Sequence, residues 1–533
     1  MSDVWARLGD EQAIRDVLAR YWRGIDRRDP ALVLGTYHPG AFDDHGYYKG
    51  PVEGFVETLV PGVWSHFANT QHFAGNLQID FAGPDAARVE SYAEAHHIQP
   101  DPASTGPGST GRDLVYGLRY VDDFERRDGE WRIARRVCAW DWHRIDPVGG
   151  IPLPASYFRG CHSQDDPVYA HPRPDGRRVA PEALVAVQGC LDALTRYTRG
   201  VDRCDPALVR SAYHPDAWDD HGGYQGDVEG FVDWLGPTVF APHTCTMHKL
   251  GNVLIRVEGR RAWAETYAIA HHVAARTEER AMPDGEEASD LVMGVRYLDR
   301  FEDRGEGWKI AWRRMSFEWE RMVAIGSQRA YPGFLRGLRD GQDPVLERST
   351  TARPAPASEA ADRAAILRQL VRYCRGVDRR DLELVRSTYH PDAYDDHGHY
   401  KGDVEGFLAF VAKEVHARFR TTMHKLGQSR IELEGDVARV ETYAICHHVV
   451  AESEVAPGPE RTRDVADLVM GIRYLDRFER RGGTWRIARR ALRWEWVRTD
   501  PLEPLDPGWT AGRADAGDPI FAPMGRAQAG QNS

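Results

Sequence analysis

The sequence predicts an α+β fold in three tandem copies, on three observations: a repeat at fixed spacing, an apolar pattern of helical period at the head of each copy, and alternating apolar and polar runs behind it. YWRGIDRRD, YTRGVDRCD and YCRGVDRRD begin at Tyr21, Tyr197 and Tyr373, two equal steps of 176 residues. The same step carries YHPGAFDDHGYYKG, YHPDAWDDHGGYQG and YHPDAYDDHGHYKG. A unit of that length exceeds the period of solenoid repeats, so each copy buries a core of its own. At 533 residues the chain is also too long for one core, given about 100 to 200 residues per domain. The domains are expected over 1–150, 181–325 and 358–502, with extensions to about 180, about 357 and 533.

Each element follows in turn. Ile14, Val17, Leu18 and Tyr21 recur at steps of three and four, which predicts a helix, and Asp29-Pro30 opens a second one. In the middle copy VLIRVEGRRAWAETYAIAHHV reads as a hairpin about a glycine turn, and DLVMGVRYLDRFEDRGEGWKIAWRRMSFEW as another. Helices first and an antiparallel meander after them give a sheet that curls around the helices. The Pro- and Gly-rich stretches between copies would ordinarily be spacers. They repeat a short hook, however: Asp166-Pro167-Val168-Tyr169, Asp343-Pro344-Val345-Leu346 and Asp518-Pro519-Ile520-Phe521. Each is therefore read as an extension docked on the domains.

Composition narrows the function. A net charge of −12 without a basic stripe argues against nucleic acid and against an anionic membrane surface, leaving small uncharged molecules as partners. No run reaches the ~18 apolar residues of a membrane span, and Met1 to Asp10 lacks a signal-peptide pattern, so a cytoplasmic protein is expected. The seven cysteines do not recur between copies and form no CxxC, which predicts reduced, inert thiols and no zinc site.

The residues with chemistry to offer also repeat. Asp26, Asp202 and Asp378 close the first helix, and His72, His248 and His424 open a strand beside a glycine turn. Singly, each suits a capping aspartate or a structural histidine. Together, an Asp bonded to one imidazole nitrogen fixes the tautomer and makes the other nitrogen a general base. The next strand ends in His96-His97, His271-His272 and His447-His448, of which at most one per pair enters a pocket, because strand neighbours face opposite sides. Tyr92, Tyr267 and Tyr443 lie five residues upstream of the second His, and Tyr21, Tyr197 and Tyr373 five before each Asp; both sets are candidates to bind substrate. Asp43-Asp44-His45, Asp219-Asp220-His221 and Asp395-Asp396-His397 suggest metal ligands, but adjacent residues seldom chelate one ion, and a turn with outward charges is expected instead. Without a phosphate-cradling glycine loop or a ligand set, no metal or organic cofactor is expected.

With these motifs in view, the chain resembles the SnoaL-like branch of the nuclear-transport-factor-2-like (NTF2-like) superfamily. GVDRRD, YKG and T-[Met/Gln]-H-x-x-G are similar to scytalone dehydratase, the bile acid 7α-dehydratases and hexachlorocyclohexane dehydrochlorinase. The resemblance implies cone-shaped α+β barrels, each with a curved antiparallel sheet wrapped on N-terminal helices. It implies that Asp26, Asp202 and Asp378 support His72, His248 and His424 as proton-removing bases, and that His97, His272 and His448 are second pocket histidines. Where scytalone dehydratase has a Tyr beside its Asp, this sequence has Ile25, Val201 and Val377. The function implied is a cofactor-independent lyase or isomerase on a small apolar alicyclic or polyketide-like molecule, against a non-catalytic binding or scaffold protein. Trimeric single-domain relatives imply a monomer with a pseudo-threefold ring inside one chain. The first copy, with Phe73-Ala74 for Lys-Leu and Gly40 for Asp, is expected to hold the weaker or differently specific site.

Overall fold

The computed structural model describes residues 2–104, 110–149, 166, 169, 177–275, 288–325, 335–336, 359–450 and 466–502. The first domain runs α1 (Ser2–Asp26), α2 (Pro30–Leu34), β1 (Tyr37–Asp44), β2 (Lys49–Pro51), α3 (Val52–Gly54), a π-helical turn Phe55–Leu59, α4 (Val60–His66), β3 (Asn69–Phe81), β4 (Ala86–Pro100), β5 (Thr110–Arg127) and β6 (Glu130–Gly149). The second repeats it as α5 (Pro181–Asp202), α6 (Pro206–Ser211), β7 (Tyr213–Asp220), β8 (Gln225–Asp227), α7 (Val228–Leu235), the π-helical Gly236–Phe240, β9 (Cys245–Glu258), β10 (Arg261–Ala275), β11 (Ala288–Asp303) and β12 (Trp308–Ile325). A short β13 (Leu335–Arg336) precedes the third: α8 (Ala360–Asp378), α9 (Leu382–Ser387), β14 (Tyr389–Asp396), β15 (Lys401–Asp403), α10 (Val404–Phe410), the π-helical Val411–His416, β16 (Phe419–Glu434), β17 (Val437–Val450), β18 (Ala466–Arg481) and β19 (Thr484–Pro501). These are three tandem NTF2-like α+β domains.

Ile14, Val17, Leu18, Tyr21 and Ile25 are buried along one face of α1, as their spacing predicts. The helix ends because Arg28 takes a left-handed backbone (φ 56°), repeated at Cys204 (51°) and Arg380 (56°). Asp29, Asp205 and Asp381 then cap the following helix, each accepting a backbone N–H at 2.9 Å. This sharp reversal holds the end of the long helix against the sheet.

In each domain the last four strands form an antiparallel meander, in the order β2-β1-β6-β5-β4-β3 for the first. The sheet is not wholly antiparallel, which corrects the expectation: β1 runs parallel to β6, as β7 does to β12 and β14 to β19. No hairpin joins those two strands, so nothing imposes a reversal on them. Bulges at Gly117/Leu118, Gly294/Val295 and Gly471/Ile472 curl the sheets. A Cβ on Gly117 would stand 2.0 Å from the Trp142 indole, so glycine lets the ring cross the strand.

The domains touch in a closed cycle. Arg23 of the first bonds Glu265 of the second at 2.5 Å, Arg199 pairs with Glu441 of the third at 3.1 Å, and Arg375 with Glu90 of the first at 3.4 Å. Asn76 donates to the His424 carbonyl (2.7 Å), Gln428 to that of His248 (2.7 Å), and Asn252 accepts from Ala74 N–H (3.2 Å). Parts of the extensions join in. Asp166 bonds Arg296 of the second domain at 2.6 Å, β13 pairs with β19, and Leu502 packs with Tyr92 and Trp142 of the first domain. The apolar hooks at Val168, Val345-Leu346 and Ile520-Phe521 lie outside the described residues. Among the described residues no helix is long and apolar enough to cross a membrane.

Candidate active site

The last turn of α1 buries Asp26 completely and aims it at the start of β3. There it accepts both the His72 backbone N–H (2.9 Å) and its ring Nδ1–H (2.7 Å). Asp202 and His248 repeat this at 3.0 and 2.7 Å, Asp378 and His424 at 2.9 and 2.6 Å. Thr70 and Thr422 hydroxyls add a third bond to the first and third carboxylates. An ionised carboxylate only accepts, so Nδ1 carries the proton, and in a neutral ring the lone pair then sits on Nε2.

The strand pairs divide as alternation requires. His97, His272 and His448 face the dyads with ring centroids 5.3, 5.1 and 5.2 Å from His72, His248 and His424; in the second domain the two Nε2 atoms are 3.3 Å apart. His96, His271 and His447 point the other way, each bonded through Nδ1 to an aspartate (Asp113, Asp290, Asp467) and lying against a tryptophan of a neighbouring domain.

Burial, then the neighbouring imidazole, hold His97 and His448 down to about 3, so both are neutral. Burial opposes ionisation of Asp378, but His424 outweighs it and lowers the carboxyl to about 2; Asp26 and Asp202 shift the same way. A depressed carboxyl stabilises the fold above its unfolded pKa near 4, and that contribution is lost as pH falls through about 2. The stability gap between wild type and Asp378→Asn is therefore expected to be full at pH 5 and to narrow below pH ~4, by roughly 2 kcal/mol in all. Denaturant titrations across that range check it.

Tyr92, Tyr267 and Tyr443 do not line their own pockets, which corrects the sequence reading. Five residues is an odd step on a strand, so they face away from His97, His272 and His448. They are buried in interdomain clusters, and each lies close to an aspartate of another domain: Asp378, Asp26 and Asp202 respectively. Tyr21, Tyr197 and Tyr373 do approach the pocket side. Their hydroxyls meet His45, His221 and His397 at 3.0, 2.8 and 3.1 Å. Those histidines in turn bond Asp43, Asp219 and Asp395, which are fully buried. The DDHG segment thus turns inward, against expectation, and forms a second Asp–His pair linked to a tyrosine. Its recurrence with the tyrosine, 24 residues apart in every copy, was the available signal. Among the described residues no group of three or more His, Cys, Asp or Glu is placed to hold a metal ion.

In the third domain these parts enclose a cavity of about 730 Å³. Tyr373, His397, His424 and His448 line it with aromatic residues such as Phe407 and Trp494, and the π-helical turn supplies Val411 and Glu414. Lys249 and Lys425, by which copies two and three differ from Phe73 of copy one, are buried away from the pockets. Lys249 Nζ lies 4.8 Å over the Phe73 ring, and Lys425 pairs with Glu94 of the first domain. That divergence belongs to the seam between domains.

The SnoaL-like domain profile matches the chain three times, over residues 6–137, 182–314 and 358–491. Gamma-hexachlorocyclohexane dehydrochlorinase of Sphingobium indicum is 25% identical over 154 residues, 28% of this chain and 91% of that enzyme. An uncharacterized Mycobacterium tuberculosis protein is 29% identical over 149 residues, 27% of this chain and 91% of its own length. Among solved structures, a type 2 hexachlorocyclohexane dehydrochlorinase matches with a TM-score of 0.26 and 20% identity, covering 29% of this chain and 99% of that one. The LinA-type3 dehydrochlorinase of Novosphingobium barchaimii gives 0.23 and 21%, covering 28% and 97%. Each relative is about one repeat long, and each repeat has its own profile match: the chain belongs to the SnoaL-like domain family.

Proposed function

We propose that the chain is a lyase or isomerase in which His72, His248 and His424 remove a proton from carbon, each oriented by its aspartate. The observation that carries this reading is the Nδ1–H to carboxylate bond, which leaves Nε2 basic, beside a second histidine that is neutral in the first and third pockets. That neutral imidazole accepts or donates at the leaving group without repelling a charged base. Tyr21, Tyr197 and Tyr373 give their hydroxyl protons to the inward Asp–His pairs, so their oxygens accept from a substrate hydroxyl. No organic cofactor or metal takes part in this scheme. The apolar lining of the third cavity suits an alicyclic or polyketide-like body, and the dehydrochlorinases among its relatives support elimination as the reaction class. A panel of alicyclic β-hydroxy ketones and chlorinated cyclohexanes, followed for loss of water or HCl, tests it; turnover of none, with several bound, refutes it.

A second reading has an observation in its favour. Each Asp also accepts its histidine's backbone N–H, so the pair ties helix to strand as a purely structural link would in a small-molecule-binding protein.

The cyclic ion pairs support a pseudo-threefold ring closed within one chain, in which domains 1–150, 181–325 and 358–502 complete one another. Arg27 and Arg203, each next to a dyad aspartate, bond Glu318 and Glu495 of the following domain at 2.9 and 3.3 Å, so assembly fixes the helix end that carries the base's partner. Light scattering is expected to give one chain, 60.2 kDa; a stable dimer contradicts the closed ring.

A further inference from the structure

The third pocket holds a group its sisters lack. Cys446 stands directly opposite His424 in the β16–β17 ladder, where the first and second domains place Ala95 opposite His72 and Ala270 opposite His248. Residues so paired project to the same face with Cβ atoms about 4.5 to 5.5 Å apart, so the thiol lies beside the imidazole whose far nitrogen is held by Asp378. Both line the 730 Å³ cavity. Cys446 itself is buried, but the cavity reaches the surface at Arg418 and His399, which are exposed. Its walls are otherwise aromatic and aliphatic, and Glu414 and Arg418 sit at the mouth.

We propose that Asp378, His424 and Cys446 form a nucleophilic thiol site, unique to the third domain, that adds reversibly to α,β-unsaturated carbonyl compounds with an apolar body. The thiol proton passes to His424 and the sulfur pair forms a bond to the β-carbon. The C=C π pair shifts to an enolate, and the proton on His424 is delivered to the α-carbon. Nothing is lost, and no other reactant is required. The reverse step is a β-elimination of the thiol. Burial opposes a charge on His424, but the Cys446 sulfur and Asp378 together hold the imidazole well above its usual value. A raised imidazole is the stronger base for the thiol proton. On this proposal one thiol departs from the expectation that all are inert. This site shares His424 with the elimination reading: while the ring holds the thiol's proton it cannot remove one from carbon, and elimination by the first and second pockets does not depend on it.

The test treats the full chain at pH 7 with 2-cyclohexen-1-one and, separately, N-ethylmaleimide, and locates adducts by peptide mass spectrometry. Cys446 is expected to react about tenfold faster than any other cysteine, because an ordinary thiol is only a few per cent ionised at that pH. His424→Gln is expected to remove that advantage. Equal rates at Cys446 and the other thiols, or an unchanged rate in His424→Gln, overturn the proposal. A readout that leaves His424 intact is the far-ultraviolet thiolate absorbance of wild type minus Cys446→Ala as a function of pH. A midpoint below 7 supports the site, and one near the free-thiol value of about 8.5 overturns it. If Cys446 reacts as described while no pocket eliminates anything, the elimination reading fails alone.

Discussion

Glutamine at His72, His248 and His424 together is expected to lower turnover by about 10² to 10⁴-fold while the unfolding midpoint moves little. The substitution is chosen for its hydrogen bonding. A glutamine amide still donates to the buried Asp26, Asp202 or Asp378, so no carboxylate is left bare, yet it offers no base. A structural link would behave in the opposite way, with binding and any activity retained and stability responding to the side chain. Variants that keep one histidine each report how the three pockets share the work. The first is expected to remain competent, because its divergence at Phe73 faces the seam.

The second large effect is on stability, at Arg296. This buried guanidinium bonds Glu265 and Glu318 at 2.7 Å and Asp166 of the preceding extension at 2.6 Å. Arg23 and Arg27 of the first domain share those acids. Arg296→Leu removes the cation at the centre and leaves Arg23 and Arg27 to face the three buried carboxylates. Breaking a buried ion pair from one side destabilises by about 3 to 5 kcal/mol, and the unfolding midpoint is expected to fall accordingly. Since Arg27 follows Asp26, the first pocket is expected to lose activity before the others. Arg304→Leu, which breaks an exposed pair with Asp216, is the control and leaves the midpoint nearly unchanged.

What the sequence made legible, and what it did not, follows from the range of each signal. The repeat, the α1 stripe and the Asp–His dyads were readable because period and spacing are local, and three copies report the same positions. The parallel pairing of β1 with β6 was not, because strand partners far apart in the chain leave no mark in either strand. Tyr92, Tyr267 and Tyr443 could have been excluded by parity, being an odd step from a pocket histidine. The DDHG segment was read outward because charge usually is; its burial depends on Tyr37, Tyr213 and Tyr389 donating to Asp43, Asp219 and Asp395 at 2.7 to 2.8 Å from six residues upstream. The exchange of Phe73 for Lys249 and Lys425 was read as a difference between pockets for a related reason. Their surroundings come from other domains, and nothing in their own strand reveals that.

Proton removal from carbon is the central claim, and solvent exchange measures it without requiring a leaving group. Alicyclic ketones that bind but carry nothing to expel are incubated in D2O with wild type and with the triple glutamine variant, and deuterium at the α-carbon is followed by NMR. The account predicts enzyme-catalysed exchange by wild type and background exchange by the variant. Tight binding by wild type with exchange no faster than buffer would contradict it and leave a protein that binds small molecules without acting on them.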